Sequence, residues 1–349
     1  MDTHGYSRRH FLKSGLFGGA ALLASPYLER LSWGDGRLSA QPYRHHAAAR
    51  VALTTGDDRA DMTLRALQQF RTEIAAGIGS KTVVIKPNNV QINIPLSSSH
   101  AGTLEGILEF LKSIGKDRNV MIAESCAAGS TLDGFANYGY NPLAAKYGAR
   151  LVDLDQTPVA VVGCLDERDM RPHAVRVASL LMDPDVYVIS TTRFKTHDRV
   201  VATLSLKNIV VGAPIKAGGR TDKPLVHGSG IWGINYNLAA LAPRLHPHLA
   251  VLDGYEGMEG NGPTRGGPVL QRVCVVSTDW LAADRVAVQL MGIDFATVGY
   301  LNYCAEYGLG EADLARIEIL GPALTEHTIK YRLPDSIDNQ LRWRQPIRG

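Results

Sequence analysis

The chain has 349 residues, 45% of them hydrophobic and 20% charged, with a formal net charge of +3. That balance excludes a disordered or fibrous chain, and the length leaves enough apolar material for a large core. There is no basic amphipathic helix, acidic tail or chain-wide basic surface, so neither a nucleic acid nor a membrane surface is an expected partner.

Residues 1–40 read as an export signal. Ser7-Arg8-Arg9-His10-Phe11-Leu12-Lys13 precedes a Gly- and Ala-rich apolar run from Ser14 to Leu28. Paired arginines ahead of Phe-Leu-Lys specify the twin-arginine route. The run falls short of the ~20 apolar residues of a membrane span, and Leu38-Ser39-Ala40 is a fair match to a cleavage site. The expected partner is the twin-arginine export machinery, and the expected location is periplasmic or extracellular. Residues 1–40 hold five Lys or Arg and three Asp or Glu, so the remainder is nearly neutral.

After a spacer containing His45-His46, strands and helices alternate. RVALTTG (50–56) reads as a strand, and Leu64, Leu67, Phe70, Ile74 and Ile78 then recur at helical spacing. TVVIKPNN (82–89) is the next strand, followed by a helix carrying Leu104, Ile107, Leu108, Leu111 and Ile114. NVMIAES (119–125), RLVDLD (150–155), VYVIST (186–191), LAVLDG (249–254) and VCVVSTD (273–279) complete the strong strands, and residues 158–212 read as strand-rich. Near-continuous Val and Ile runs separated by helices predict an α/β fold, a mainly parallel or mixed sheet with helices on both faces. One domain is expected over 50–322, with 323–349 as a polar tail.

Cys126, Cys164, Cys274 and Cys304 are scattered without Cys-x-x-Cys or ferredoxin spacing and lie in or beside apolar segments. They read as buried thiols, and no iron-sulfur cluster is expected.

Ligands of open α/β sheets bind outside the carboxyl ends of the strands. Lys86-Pro87-Asn88-Asn89, Glu124-Ser125, Asp253-Gly254 and Ser277-Thr278-Asp279 all end strands. In RFKTHDRVVATLSLKNIVVG (193–212), an extended reading puts Arg193, Lys195 and His197 on one face and Thr203, Ser205 and Lys207 on another. Such a polar row is either a solvated face or the wall of a site; Lys86, Lys195, His197, Lys207 and Asn208 together favour a site. Asp253 to Gly267 is glycine-dense, which suits either an anion-binding loop or a flexible connection, and its carboxylates can hold a metal or act as a base. His246-Pro247-His248 lacks a third ligand and reads as a loop. Gly228-Ser229-Gly230 is not a nucleophile elbow.

Together these motifs resemble the family known as domain of unknown function 362, from about Val51 to Gly321. The resemblance rests on Lys86-Pro87-Asn88, His100 before the helix at Thr103, Lys195-Thr196-His197, Ser205-Leu206-Lys207-Asn208, Gly212, and Asp253 with Glu259-Gly260-Asn261-Gly262-Pro263. Ser277, Asp279, Asp284 and Leu290-Met291-Gly292 extend it. The family implies no general reaction, and this chain lacks the ferredoxin-like cysteines of many members.

Two functions are expected. One is an exported enzyme for a small anionic substrate, a carboxylate or phosphate, with His197, Lys195 and Lys207 catalytic. Lys86, Asn88, Asn208, Gly260 and Gly262 would bind the ligand, and Asp253 and Glu259 would hold a divalent metal. The other is a ligand-binding or accessory protein for an exported redox enzyme, using the same cleft without chemistry.

Overall fold

A computed structural model describes residues 49–345; the expected export signal lies outside the described residues. The strands are β1 (Ala49–Thr55), β2 (Thr82–Lys86), β3 (Val120–Glu124), β4 (Arg150–Asp153), β5 (Val159–Asp166), β6 (Arg171–Ala178), β7 (Val186–His197), β8 (Val201–Thr203), β9 (Lys216–Ala217), β10 (Arg220–Thr221), β11 (Leu249–Asn261), β12 (Arg265–Ser277) and β13 (Ile317–Leu320). Helices α1 (Arg59–Gln68), α2 (Arg71–Ile78), α3 (Ala101–Ser113), α4 (Thr131–Asn137), α5 (Tyr140–Tyr147), α6 (Ser205–Gly212), α7 (Lys223–His227), α8 (Ile231–Leu241), α9 (Trp280–Leu290) and α10 (Gly299–Glu306) are interleaved with them.

The main sheet has nine strands in the order β13-β1-β12-β11-β7-β2-β3-β4, with β8 paired to β7. It is the expected α/β architecture, mixed and mostly parallel: β12 runs antiparallel to both β1 and β11, and β8 to β7, whereas β7, β2, β3 and β4 are parallel. Alternate residues of each central strand feed opposite cores. Val83, Ile85, Ile122, Tyr187 and Ile189 pack with Leu67, Phe70, Ile74, Leu104, Ile107 and Leu111 of the α1–α3 layer. Across the sheet, α9 lies against β1, β11 and β12, and α6 lies against β7.

The chain steps outward from β2 to β3 and β4, then returns through β7 to the other flank of β2. Strand order therefore reverses between β2 and β7, and at such switch points the loops diverge and leave a crevice at the carboxyl ends.

Three local readings differ from expectation. Ser205–Gly212 is a helix, not an extended segment, so Thr203, Ser205 and Lys207 do not share a strand face. The β-branched Ile209, Val210 and Val211 favour a strand by propensity, but the helix start is fixed from α9. Asp284 Oδ1 accepts from Ser205 N at 2.8 Å and from Ser205 Oγ at 2.6 Å, and Oδ2 accepts from Leu206 N at 3.2 Å. This is N-capping by a distant residue.

The glycine-dense stretch is not a loop but the long antiparallel β11–β12 ribbon, with Glu259 opposite Gly267 and Asn261 opposite Arg265. The helical run at 64–78 is two helices that meet at the buried Phe70.

The carboxyl-terminal segment buries Tyr331, Gln340 and Trp343. Gln340 Oε1 accepts from Val201 N at 2.6 Å, where Val201 holds φ at 66°, a conformation β-branched residues avoid.

Candidate functional site

The crevice between β2 and β7 gathers an unusual number of buried cations. Lys86 and Lys195 are 0% exposed, Lys207 is 5% and Lys223 is 7%. Burying an ammonium is costly unless it is paired, and the partners differ.

Lys86, the last residue of β2, spends all three hydrogens: on Glu124 Oε1 at 2.7 Å, the Pro87 carbonyl at 2.9 Å and Asn208 Oδ1 at 3.1 Å. Glu124, the last residue of β3, is held in turn by Asn89 N and Ser125 N. Lys195 donates to Asn88 Oδ1 and the Ser97 carbonyl. Lys223 donates to the Pro214 carbonyl at 2.8 Å and the Gly212 carbonyl at 3.3 Å. Lys207 Nζ makes no hydrogen bond among the described residues.

Asn208 is the hub. Its amide nitrogen donates to the Lys86 carbonyl and to Ser190 Oγ, both at 3.0 Å, and its oxygen accepts from Lys86 Nζ and Asn88 Nδ2, both at 3.1 Å. One side chain thus ties α6 to β2 and β7.

These groups border a cavity of about 80 Å³, whose lining includes Lys86, Asn88, Glu124, His197, Thr203, Lys207, Lys223, His227 and Pro263. The buried Thr203 Oγ1 and Asn89 Nδ2, also from lining residues, have no hydrogen-bond partner among the described residues.

Burial takes the Lys207 ammonium down to about 7, opposed by Asp198, and takes Lys223 down to about 8. Lys195 is held well below the ordinary lysine range by burial, reinforced by Lys207 and Arg193. His197 is lowered well below the usual imidazole range by burial and then by Lys207, and His227 is brought to about 3 for the same reasons. Both rings are neutral at physiological pH.

Their tautomers follow from the hydrogen bonds. Arg199 N donates to His197 Nδ1 at 3.1 Å, so the His197 proton sits on Nε2. Nε2 lies 3.2 Å from His227 Nε2, which must accept, leaving the second proton on His227 Nδ1. The pair thus forms one hydrogen bond that joins the end of β7 to α7.

Of the residues expected in a site, the structure brings Lys86, Asn88, His197, Lys207 and Asn208 into one cluster. Lys195 stands behind the lining and holds Asn88. Gly262 approaches Thr196 so closely that an added Cβ would lie 2.1 Å from the Thr196 carbonyl oxygen, while at Gly260 it would meet the Arg332 guanidinium; among these ribbon-tip residues Pro263 reaches the lining.

Asp253 and Glu259 have separate partners. Asp253 accepts from Thr103 Oγ1 at 3.0 Å and lies 3.3 Å from Arg59 Nε, whereas Glu259 accepts from Arg332 N at 2.8 Å. Among the described residues no group of three His, Cys, Asp or Glu side chains is arranged to hold a metal ion. All four cysteines are buried and free.

Sequence reasoning missed Lys223 and His227, which carry no motif. It saw Glu124 only as a strand end, although that position at the close of a Val/Ile-rich strand is itself a signal for an inward carboxylate.

The family model of the domain of unknown function (DUF362) matches residues 83–289, which include the lining residues named above. The thylakoid-associated protein sll1697 of Synechocystis sp. is 26% identical over 218 residues, 62% of this chain and 64% of that protein, so the match spans less than two thirds of the relative's length. A crystal structure of a Thermotoga maritima protein aligns with a TM-score of 0.43 at 11% identity, covering 68% of this chain and 60% of that one.

Proposed function

The chain belongs to the family of the domain of unknown function (DUF362), and from that premise and the chemistry of the β2–β7 crevice we propose that it binds a small anion, a carboxylate or phosphate, against Lys207. The observation that carries the reading is the Lys207 ammonium: 5% exposed, in a cavity lined also by Lys86 and Lys223, without a hydrogen-bond partner among the described residues. An anion completes what the fold leaves open, since charge-assisted hydrogen bonds are the strong ones.

The size of the cavity supports a small ligand. Drug-sized ligands occupy pockets of roughly 300–1,000 Å³, whereas this one has about 80 Å³. The unpartnered Thr203 hydroxyl can donate to an oxyanion, and the Asn88–Asn208 amide pair fixes the wall beside Lys207. Lys86, with every hydrogen used, serves as framework and as a source of positive potential.

The enzyme reading rests on the lowered Lys207, a nucleophile or base near neutral pH, while the neutral His197–His227 pair borders the same cavity as a hydrogen-bonding wall. Export by the twin-arginine route remains part of the proposal and rests on Arg8, Arg9 and the residues after them.

The test is a thermal-unfolding screen of the purified protein with phosphate, sulfate, acetate, glyoxylate and chloride at constant ionic strength, on wild type and Lys207→Ala. A selective rise in midpoint for one oxyanion class, lost in the variant, is expected. Equal shifts in both proteins, or none in either, would remove the proposal.

A further inference from the structure

Resting on that reading of the cavity, we propose that Lys207 captures carbonyl compounds, forming an imine with a small aldehyde or 2-oxo acid. Among the buried lysines of the crevice, Lys86, Lys195 and Lys223 are tied to carboxylate, amide or carbonyl oxygens. Lys207 lines the cavity, and its nitrogen has no hydrogen-bond partner among the described residues.

A buried amine beside other cations is the environment in which lysine becomes a nucleophile at neutral pH. Burial brings Lys207 to about 7, so a large share of it is free amine there. The neighbouring charge suits the rest of such a substrate, because Lys223 gives two carbonyls its hydrogens and keeps one for a carboxylate.

The step balances without a co-reactant. The amine lone pair of Lys207 adds to the carbonyl carbon, and the carbonyl oxygen becomes a hydroxyl by taking a proton from the nitrogen. That hydroxyl leaves as water with the second nitrogen proton as the C=N bond forms. The two proton movements need a shuttle. Water admitted to the cavity relays both protons, and His227, whose Nε2 accepts from His197 and whose Nδ1 carries a proton, borders the same cavity as a hydrogen-bond donor.

The experiment is borohydride trapping on the full chain. Protein is incubated with glyoxylate, reduced, digested and mapped by mass spectrometry between pH 6 and 9. The expected result is a reduced adduct concentrated on the peptide containing Lys207, with labelling half-maximal near pH 7 and suppressed by excess acetate. Lys207→Arg, which keeps a cation but cannot form the imine, should lose the label yet retain stabilisation by acetate. Labelling no greater at Lys207 than at the exposed lysines would overturn the imine proposal. If any oxyanion of the thermal screen still stabilises wild type but not Lys207→Ala, the anion reading survives that failure; if none of them does, both readings fall.

Discussion

Lys86 and Asn208 bind each other twice: Lys86 Nζ donates to Asn208 Oδ1 at 3.1 Å, and Asn208 Nδ2 donates to the Lys86 carbonyl at 3.0 Å. The pair joins the end of β2 to the middle of α6 and so holds Lys207, one residue before Asn208, at the cavity. The Lys86–Glu124 ion pair completes the bracket between β2 and β3 at 2.7 Å, fully buried on both sides.

Removing Lys86 alone leaves Glu124 buried without its cation. Lys86→Met is expected to cost about 3–5 kcal/mol of unfolding free energy, measured by urea denaturation. Adding Glu124→Gln should recover part of that loss, because the stranded charge is then gone. A double variant that costs the sum of Lys86→Met and Glu124→Gln measured separately would show that the pair is not coupled.

Gly212 is glycine because Lys86 passes over it. A Cβ there would lie 2.5 Å from both Lys86 Cε and Nζ, so Gly212→Ala must push the ammonium away from Glu124 and Asn208. The expected loss is roughly 1–3 kcal/mol, with a parallel loss of anion-induced stabilisation. Unchanged stability and unchanged ligand response would place Lys86 outside the bracket.

How far the sequence revealed this site depends on how local each cause is. The ends of β2 and β3 were legible because Val- and Ile-rich runs stop at Lys86 and Glu124, and Asn88, Lys207 and Asn208 stood out as polar residues amid apolar ones. The helix carrying Lys207 was not legible: its cap is Asp284, 79 positions away, and no local window contains that cause. The Asp253–Gly267 ribbon escaped for a similar reason, since pairing between β11 and β12 overrides the weak strand propensity of glycine. His227 and Lys223 acquire meaning only through α7 packing beside α6.

Asp284 gives a pH-dependent prediction. Burial pushes its carboxyl up to about 7, against the pull of its bonds to Ser205 and Leu206. With an unfolded value of about 3.9, the folded state binds the extra proton between these limits. Its contribution is therefore fully present below about 4 and is lost as pH rises through about 7. Asp284→Asn should flatten that slope in chemical denaturation at stepped pH, and Asp284→Ala should cost about 1–3 kcal/mol by orphaning buried donors. A wild-type profile already flat across the window would refute the assignment.

Replacing Arg8 and Arg9 by lysines should abolish export of a reporter fused behind residues 1–40, because the twin-arginine route reads the arginine pair itself. Undiminished export would remove that route from the account.

The measurement closest to the central claim is calorimetric titration of the binding anion, first identified by the thermal screen, at pH 8 in buffers of different ionisation enthalpy. Lys207 is lowered to about 7 by burial and is therefore mostly neutral at that pH, and an anion that pairs with its ammonium must raise that value. Binding should then take up about one proton per site, and affinity should fall as pH climbs further. Lys207→Met should abolish both the binding and the proton uptake. Binding of the same strength in the variant, or binding that takes up no proton, would contradict the claim that this lysine holds the ligand.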